Sequence, residues 1–517
     1  MRTTNPNHIK QRNLFIESFA LPGKPTVPLF TLPEDTKPRR INHMVKFKPY
    51  HEFQKPLMGF TPESFLDYVE TVIPKDHLCR VVKEVVFSLD TEGIEAKYSF
   101  LGQRTYHPKL LLGVLFYGYA TGVRSSRKLE ERCLSDHFYI YLMQCYTPDH
   151  RTISDFRKNN LKEIERYFVD IVRIFSKLGY TNIGKIYIDG TKLKGNASAK
   201  RTKDREGFER WLSEIEEEIA KLLKEAEAVD NREDESCKID TEQEALKERL
   251  SDRKYLKNKI EEALEMMKGE EKEKVNLTGR DANHMKSGGS KDIRPGYNCQ
   301  TAVTESGIIV ASEAVTDAND RNQLKSVIEH VESTTKEEVK EVAADSGYGS
   351  YANYEYLEQR GIDGYVPDGN FQQYKSGEYE KKEHRYHYSN FKYDSTSDSY
   401  VCPEGKRLKY WKIRTNKTDS REWNHKVYKG TECGACQKRS LCTKAKVREL
   451  LIDIREPLLQ KMREKLLSDN GRRKYFMRQY IIEPIFGHLK FNIGYRNFLL
   501  RGLEKIRAEF KLMSLLC

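Results

Sequence analysis

At 517 residues the chain is too long for one ordinary core, and about two to four structural units are expected of it. Its formal net charge of +12 favours a polyanionic partner, because Lys and Arg that neutralise phosphates release condensed counterions, though charge alone leaves a merely basic soluble protein equally open. No run of about 18 apolar residues occurs and the N-terminal MRTTNPNHIKQRNLF has no secretory core, so neither a membrane span nor a leader is expected.

Residues 1–50 are polar and irregular, punctuated by Pro22, Pro25, Pro28 and Pro33. From 60 to 180 the pattern is helical. A strongly apolar helix is expected over 107–123 and a second over 125–144, capped by Ser125 or Ser126. A long amphipathic stretch follows over 149–180, with Ile153, Phe156, Ile164, Phe168, Ile171 and Phe175 on one side. Three such helices suit a helix-turn-helix DNA reader or a plain dimerisation bundle, and the pattern leaves both open.

The run KIYIDG (185–190) reads as a buried strand ending on Asp189 and a glycine. Between 203 and 270 the sequence becomes charge-rich helix. Phe208, Leu212, Ile215, Ile219, Leu222 and Ala226 form one seam, and Leu246, Leu250, Leu256, Ile260 and Leu264 a second, as in an antiparallel hairpin. Strands are expected over 297–303 and 308–315, a helix over 320–333, and a strand over 338–344 that ends on Asp345-Ser346-Gly347. A helix over 351–359 and a strand over 363–366 continue the alternation, and 446–513 return to helix. Such alternation predicts an α/β fold with a mixed sheet flanked by helices.

Asp189 and Asp345 thus each close a predicted strand, where a sheet edge exposes side chains to a ligand. An Asp before Gly is also a common turn former, so either residue alone is ambiguous. A carboxylate from the last helical stretch, Glu483, would complete an ordered set of three. Convergent carboxylates from separate elements are what phosphodiester cleavage by two metal ions about 4 Å apart requires.

IDGTK at 188–192, AADSGY at 343–348 and Glu483-x6-Lys490 together resemble the signature of insertion-sequence transposases of the DDE type. The likeness is to the large group joining an InsH-like N-terminal domain to an RNase H-like catalytic domain. PDHRTISDFRK (148–158), NLTGRDANHMK (276–286) and GYNCQTAV (296–303) are similar to recurring stretches of that group.

The resemblance implies Asp189, Asp345 and Glu483 as ligands of two Mg2+ ions, with Mn2+ as a substitute. It implies Lys490, Arg478, Tyr475 and Lys192 as DNA contacts; Lys490, seven residues beyond Glu483, would share its helix face. Four residues separate Arg478 from Glu483 where the family usually has three. Implied as well are hydrolysis at transposon ends, strand transfer into target DNA, a homodimer in the synaptic complex and a cytoplasmic, nucleoid-associated protein. The organisation expected is a helical DNA-binding or dimerisation unit (1–180), a catalytic domain (181–202 with 276–368 and 446–517), a hairpin insertion (203–275) and a cysteine-rich insertion (369–445). A transposase-derived DNA-binding protein that no longer cuts is the alternative, kept open because the chain stops at LMSLLC within an apolar helical run.

Ten cysteines are too few for a disulfide scaffold in a chain this long, and four gather between 402 and 442. Cys402, with Cys433-x2-Cys436-x5-Cys442, predicts a structural zinc site pinning a loop-rich segment, because a C-x2-C turn aims both thiolates at one ion.

Overall fold

The computed structural model describes residues 62–99, 104–230, 238–270, 274–286, 293–376, 385–418 and 421–515; the polar stretch expected over 1–50 lies outside them. Eight helices open the described chain: α1 (Pro62–Val72), α2 (Leu78–Ser88), α3 (Glu92–Glu95), α4 (Pro108–Ala120), α5 (Ser126–Ser135), α6 (His137–Met143), α7 (His150–Asn159) and α8 (Leu161–Lys177). Every residue of α4 from Pro108 to Tyr119 is buried except Lys109, so this apolar helix is a hub and not a DNA-reading face. The two long helices expected over 125–144 and 149–180 are each divided by a side chain that competes with the helical backbone. Asp136 accepts the N–H of Phe138 at 3.0 Å and so starts α6, while Asn160 donates back to the Phe156 carbonyl at 2.8 Å between α7 and α8.

The chain then enters a six-stranded sheet. β1 (Lys185–Lys194) is followed by β2 (Thr202–Lys203), α9 (Arg205–Asp230), α10 (Lys238–Glu270) and β3 (Val275–Asn276). β2 pairs with β3 at the neck of the expected hairpin, and Phe208, Ile215, Ile260, Ala263 and Met267 form its own small core. Ion pairs Glu216–Lys257 and Glu218–Arg253 set the helices antiparallel. Next come β4 (Asn283–Lys286), β5 (Ile293–Thr304), β6 (Ile309–Val315), α11 (Gln323–Thr335), β7 (Glu341–Ala344), α12 (Tyr351–Arg360) and β8 (Asp363–Tyr365). β5 is antiparallel to β1, β4 and β6, whereas β7 lies parallel to β1 and to β8. The expected mixed α/β sheet is therefore present, in the order β4-β5-β1-β7-β8, with β6 also pairing with β5.

After α13 (Phe371–Ser376) the structure departs from expectation. β9 (Lys392–Asp394), β10 (Ser399–Val401), β11 (Arg407–Thr418), β12 (Arg421–Gly430) and, after α14 (Arg439–Cys442), β13 (Glu449–Asp453) form a five-stranded antiparallel meander. The segment is thus a sheet and not loop-rich, and its last strand occupies the start of the stretch expected to be helical from 446. Lys and Arg between the apolar positions masked the signal; the sheet closes on only Phe391, Leu408, Tyr428 and Leu450. α15 (Glu456–Leu467), α16 (Asp469–Ile481), α17 (Glu483–Gly487), a π-helical turn (His488–Asn492) and α18 (Leu503–Ser514) complete the chain.

One hydrophobic core joins the N-terminal helices to Leu193, Tyr297 and Cys299 of the sheet and to Tyr495, Phe498 and Phe510 near the C-terminus. A polar joint runs through it. The buried Glu509 carboxylate accepts the N–H groups of Leu499 (3.0 Å) and Leu500 (2.9 Å) and faces Arg124 at 3.4 Å. Arg124 also donates to the Asn497 carbonyl at 2.7 Å and stacks over Tyr495. Glu509→Ala leaves two buried amides without an acceptor and is expected to lower stability by roughly 3 kcal/mol or more, with Glu509→Gln milder because its carbonyl oxygen still accepts. Thermal and urea unfolding check this; an unchanged midpoint for Glu509→Ala would mean that the 497–500 turn is held by other contacts.

Candidate active site at the ends of β1 and β7

The parallel register pairs Ile188 of β1 with Ala344 of β7, so Asp189 and Asp345 follow side by side at neighbouring strand positions. Beyond that point β1 continues along β5, whereas β7 turns away into the 3-10 turn Ser346–Tyr348. A crevice at the carboxyl ends of strands, where neighbours diverge, is a favoured ligand position in such sheets. Each aspartate also shapes its own turn: Asp189 Oδ1 accepts the Gly190 N–H and Asp345 Oδ1 the Gly347 N–H, both at 2.8 Å.

α16 crosses above these strand ends. Lys474 Nζ donates to Glu341 of β7 at 2.5 Å and fixes the helix on the sheet. One turn later Arg478 Nη1 donates to Asp189 Oδ2 at 2.8 Å, and its Nη2 lies 3.5 Å from Glu483 Oε1. The arginine side chain is only 8% exposed, and its Nε is buried without a partner. Tyr475 packs beside the guanidinium, 5.7 Å from ring centre to Cζ. The additional residue between Arg478 and Glu483 falls where α16 ends at Ile481 and Pro484 restarts the helix as α17. Arg478 still reaches Glu483, whose side chain is half exposed.

Lys490 is brought to the same place by the π-helical turn and not by two α-helical turns. Burial lowers its pKa, partly offset by Cys299 and Asp189 nearby. Lys192 on β1 acts on Asp345. Burial pushes the Asp189 carboxyl up to about 6, opposed by Arg478 and reinforced by Asp345 and Asp320. Burial likewise raises Asp345, with Gly347 and Arg478 opposing and Asp320 reinforcing.

Asp320 was not foreseen; the sequence reading used it only as the start of a helix. The signal available was a pair of amides at alternate positions of one strand, Asn298 and Gln300. Both donate to Asp320 Oδ1 at 2.7 Å, and Gln300 in turn accepts the buried Tyr348 hydroxyl.

Among the described residues no three Asp, Glu, His or Cys side chains stand at the spacing of ligands to one metal ion. At the sheet edge Arg478 bridges Asp189 and Glu483 and keeps the carboxylates apart as ligands. The donor chemistry nevertheless fits a hard divalent cation: the groups are carboxylates only, and two of them, on the half-buried Asp189 and Asp345, are raised in pKa.

The four expected cysteines, all free, line one cavity of about 30 Å3 between β10, β11 and α14. Backbone amides of Lys406 and Arg448 point at the sulfurs of Cys402 (3.3 Å) and Cys433 (3.5 Å). The thiols share the cavity without closing to a tetrahedral set.

Two family models match the chain. A transposase DDE domain matches residues 401–516, a span that holds the cysteines, Arg478, Glu483 and Lys490 but neither aspartate, and a transposase domain (DUF772) matches residues 67–159. No curated protein and no solved structure matches.

A carboxyl raised to about 6 from an ordinary 3.8 binds its proton more tightly folded than unfolded, so native stability falls as pH rises from about 4 through 6. Asp189→Asn removes that loss. In chelator-treated protein at pH 7.5 the variant is expected to be more stable by about 1–3 kcal/mol, the upper figure following from the net shift, which already includes the attraction to Arg478. The gain should vanish below about pH 4. Unfolding curves across pH decide it; a variant weaker than wild type at every pH would show that the Arg478 pairing outweighs the burial.

Proposed function

We propose that this chain, a relative of the insertion-sequence DDE transposases through its two matched segments, cuts DNA at the ends of its element and joins the freed 3′ ends to target DNA. The observation that carries the reading is the pair Asp189 and Asp345 at adjoining ends of parallel strands, with Glu483 linked to Asp189 through one arginine. The strand order, with β5 and β6 antiparallel on one side of β1 and β7 and β8 parallel on the other, supports an RNase H-like catalytic sheet.

Asp189, Asp345 and Glu483 would hold two Mg2+ ions, or Mn2+ in their place, which when bound supply Lewis-acid stabilisation of phosphate oxygens and an acidified water. The chain's own side chains bind and orient DNA. The unpartnered Nε of Arg478 is a donor awaiting a phosphate oxygen, and Lys490 adds a positive charge in a partly desolvated position. Such contacts position the backbone and carry no base information, so recognition of the terminal repeats must come from elsewhere on the protein. Tyr475 holds the guanidinium plane, and Lys192 stands on the Asp345 side. The partners are then the transposon ends and target DNA, engaged by a homodimer in the synaptic complex at the nucleoid. No described helix is long and apolar enough to cross a membrane.

Asp189→Ala, Asp345→Ala and Glu483→Ala should each reduce Mg2+-dependent cleavage of end DNA to background, while end binding in Ca2+ stays close to wild type. Near-normal cleavage by one variant would remove that residue from the triad, and wild-type protein that binds ends but never cuts would favour a non-cutting derivative.

The four free thiols, with backbone amides aimed at two of their sulfurs, support one structural zinc per chain. A thiolate site of this kind holds zinc by on the order of 10 kcal/mol or more, so the metal should survive purification. Elemental analysis of folded protein with far less than one equivalent of zinc would rule it out.

A further inference from the structure

Asp320 lies three residues before α11, yet its side chain does not cap that helix. It turns to β5, where Oδ1 accepts the Asn298 and Gln300 amides, both at 2.7 Å. Two glycines show how close it stands to the aspartates. A Cβ on Gly190 would lie 2.6 Å from Asp320 Oδ1, and a Cβ on Gly347 would lie 3.2 Å from Asp320 Oδ2 and 3.0 Å from Asp345 Oδ1. The carboxylate therefore spans the space between the backbone following Asp189 and the turn shaped by Asp345. Its Oδ2 takes no hydrogen bond among the described residues.

A second feature points to a missing partner. Asn298 is fully buried and leaves its Oδ1 without a donor, 3.2 Å from the position of a Cβ on Gly190. An orphaned buried amide oxygen is unfavourable and calls for a donor or cation that the protein itself does not supply. A structural acceptor for two amides needs no charge, yet Asp320 places a third carboxylate beside Asp189 and Asp345. It is accounted for once a cation sits among the three.

We propose that Asp320 is a fourth carboxylate of the divalent-cation site, presenting Oδ2 between Asp189 and Asp345, with Asn298 Oδ1 turned to the water shell of the same ion. The inference rests on the reading of Asp189 and Asp345 as metal ligands. Asn298, Gln300 and Tyr348 are then positioning residues, holding the carboxylate through an amide relay anchored on the sheet.

The test is a Mn2+ titration of the chelator-treated, full-length protein followed by electron paramagnetic resonance, for wild type, Asp320→Asn, Asp189→Asn and Asp345→Asn. Asn at 320 keeps an acceptor oxygen for both amides, so a merely structural Asp320 would leave the titration unmoved. The proposal expects Asp320→Asn to weaken Mn2+ binding about tenfold or more, alongside losses in the other two variants. Losses at 189 and 345 with wild-type binding in Asp320→Asn overturn the assignment of Asp320 alone. Binding unchanged in all three overturns the metal-site reading itself.

A second measurement avoids substitution. Fe2+ in the wild-type site, with ascorbate and peroxide, generates hydroxyl radical that cleaves the nearest backbone. Cuts are expected beside residues 189, 320 and 345; cuts at 189 and 345 with none near 320 overturn the proposal.

Discussion

Carboxylates gathered at the ends of β1 and β7 repel one another, and the cation in direct contact with Asp189 and with the half-exposed Glu483 is the guanidinium of Arg478. At separations of 3–4 Å, even with an effective dielectric constant of about 20, each unit-charge interaction is worth several kcal/mol. Placement of α16 is therefore the constraint on which the site depends. Ser468 caps the helix by accepting the Gly471 N–H at 3.1 Å, Lys474 ties it to β7, and Lys465 on the preceding helix reaches β8. Arg478 then enters the crevice at a fixed depth. Its position also means that divalent ions would have to share or displace its hold on Asp189, so occupancy of the site is coupled to where the arginine goes.

The parts of this arrangement visible in the sequence are those governed by local pattern. A β-branched and aromatic run ending in Asp-Gly marks Asp189, a short apolar run ending in Asp-Ser-Gly marks Asp345, and the seams of α9 and α10 follow helical steps of three and four. Adjacency of the two aspartates was not legible, because it is a property of the Ile188–Ala344 register between strands separated by a long insertion. Asp320 escaped for a related reason: its role depends on two amides brought alongside by β5 pairing, and an Asp before a helix reads locally as a cap. Lys490 was found by its distance from Glu483, though the geometry behind that distance is a π-helical turn and not a continuous α-helix. The meander of β9 to β13 was missed because charged residues dilute its alternation and its apolar core is small.

The N-terminal helices are less separate than their composition indicated. α4 is buried on all sides, α8 contributes to both large hydrophobic clusters, and the segment from Tyr495 to Phe510 belongs to the same cluster as the N-terminal helices. The apolar character of α18, which looks out of place at the end of a sequence, follows from this position: Phe510, Leu512 and Met513 are all buried. The first described helices and the segment from Tyr495 to Phe510 thus share one core with Leu193 of β1, and the Arg124–Glu509 ion pair joins them.

The hairpin of α9 and α10 stands in contrast. It has its own core, meets the body through the two-residue strands β2 and β3, and pairs its helices across exposed ion pairs that contribute little to stability. Its buried contacts are mostly internal, so its attachment to the sheet rests on β2, β3 and the segments that flank them. The long ribbon of β11 and β12 differs again in chemistry. Trp411 is exposed there, with the ammonium groups of Lys412 and Lys429 at 4.3 and 4.2 Å from its ring centre. An aromatic face flanked by cations can stack on a base while its neighbours meet the backbone, whereas the two hairpin helices carry 12 Lys and Arg against 18 Asp and Glu, a net negative charge that repels phosphates. Residues 407–430 carry eight Lys and Arg against two Asp and Glu, so the ribbon is a strongly basic part of the same matched DDE segment that carries Arg478, Glu483 and Lys490.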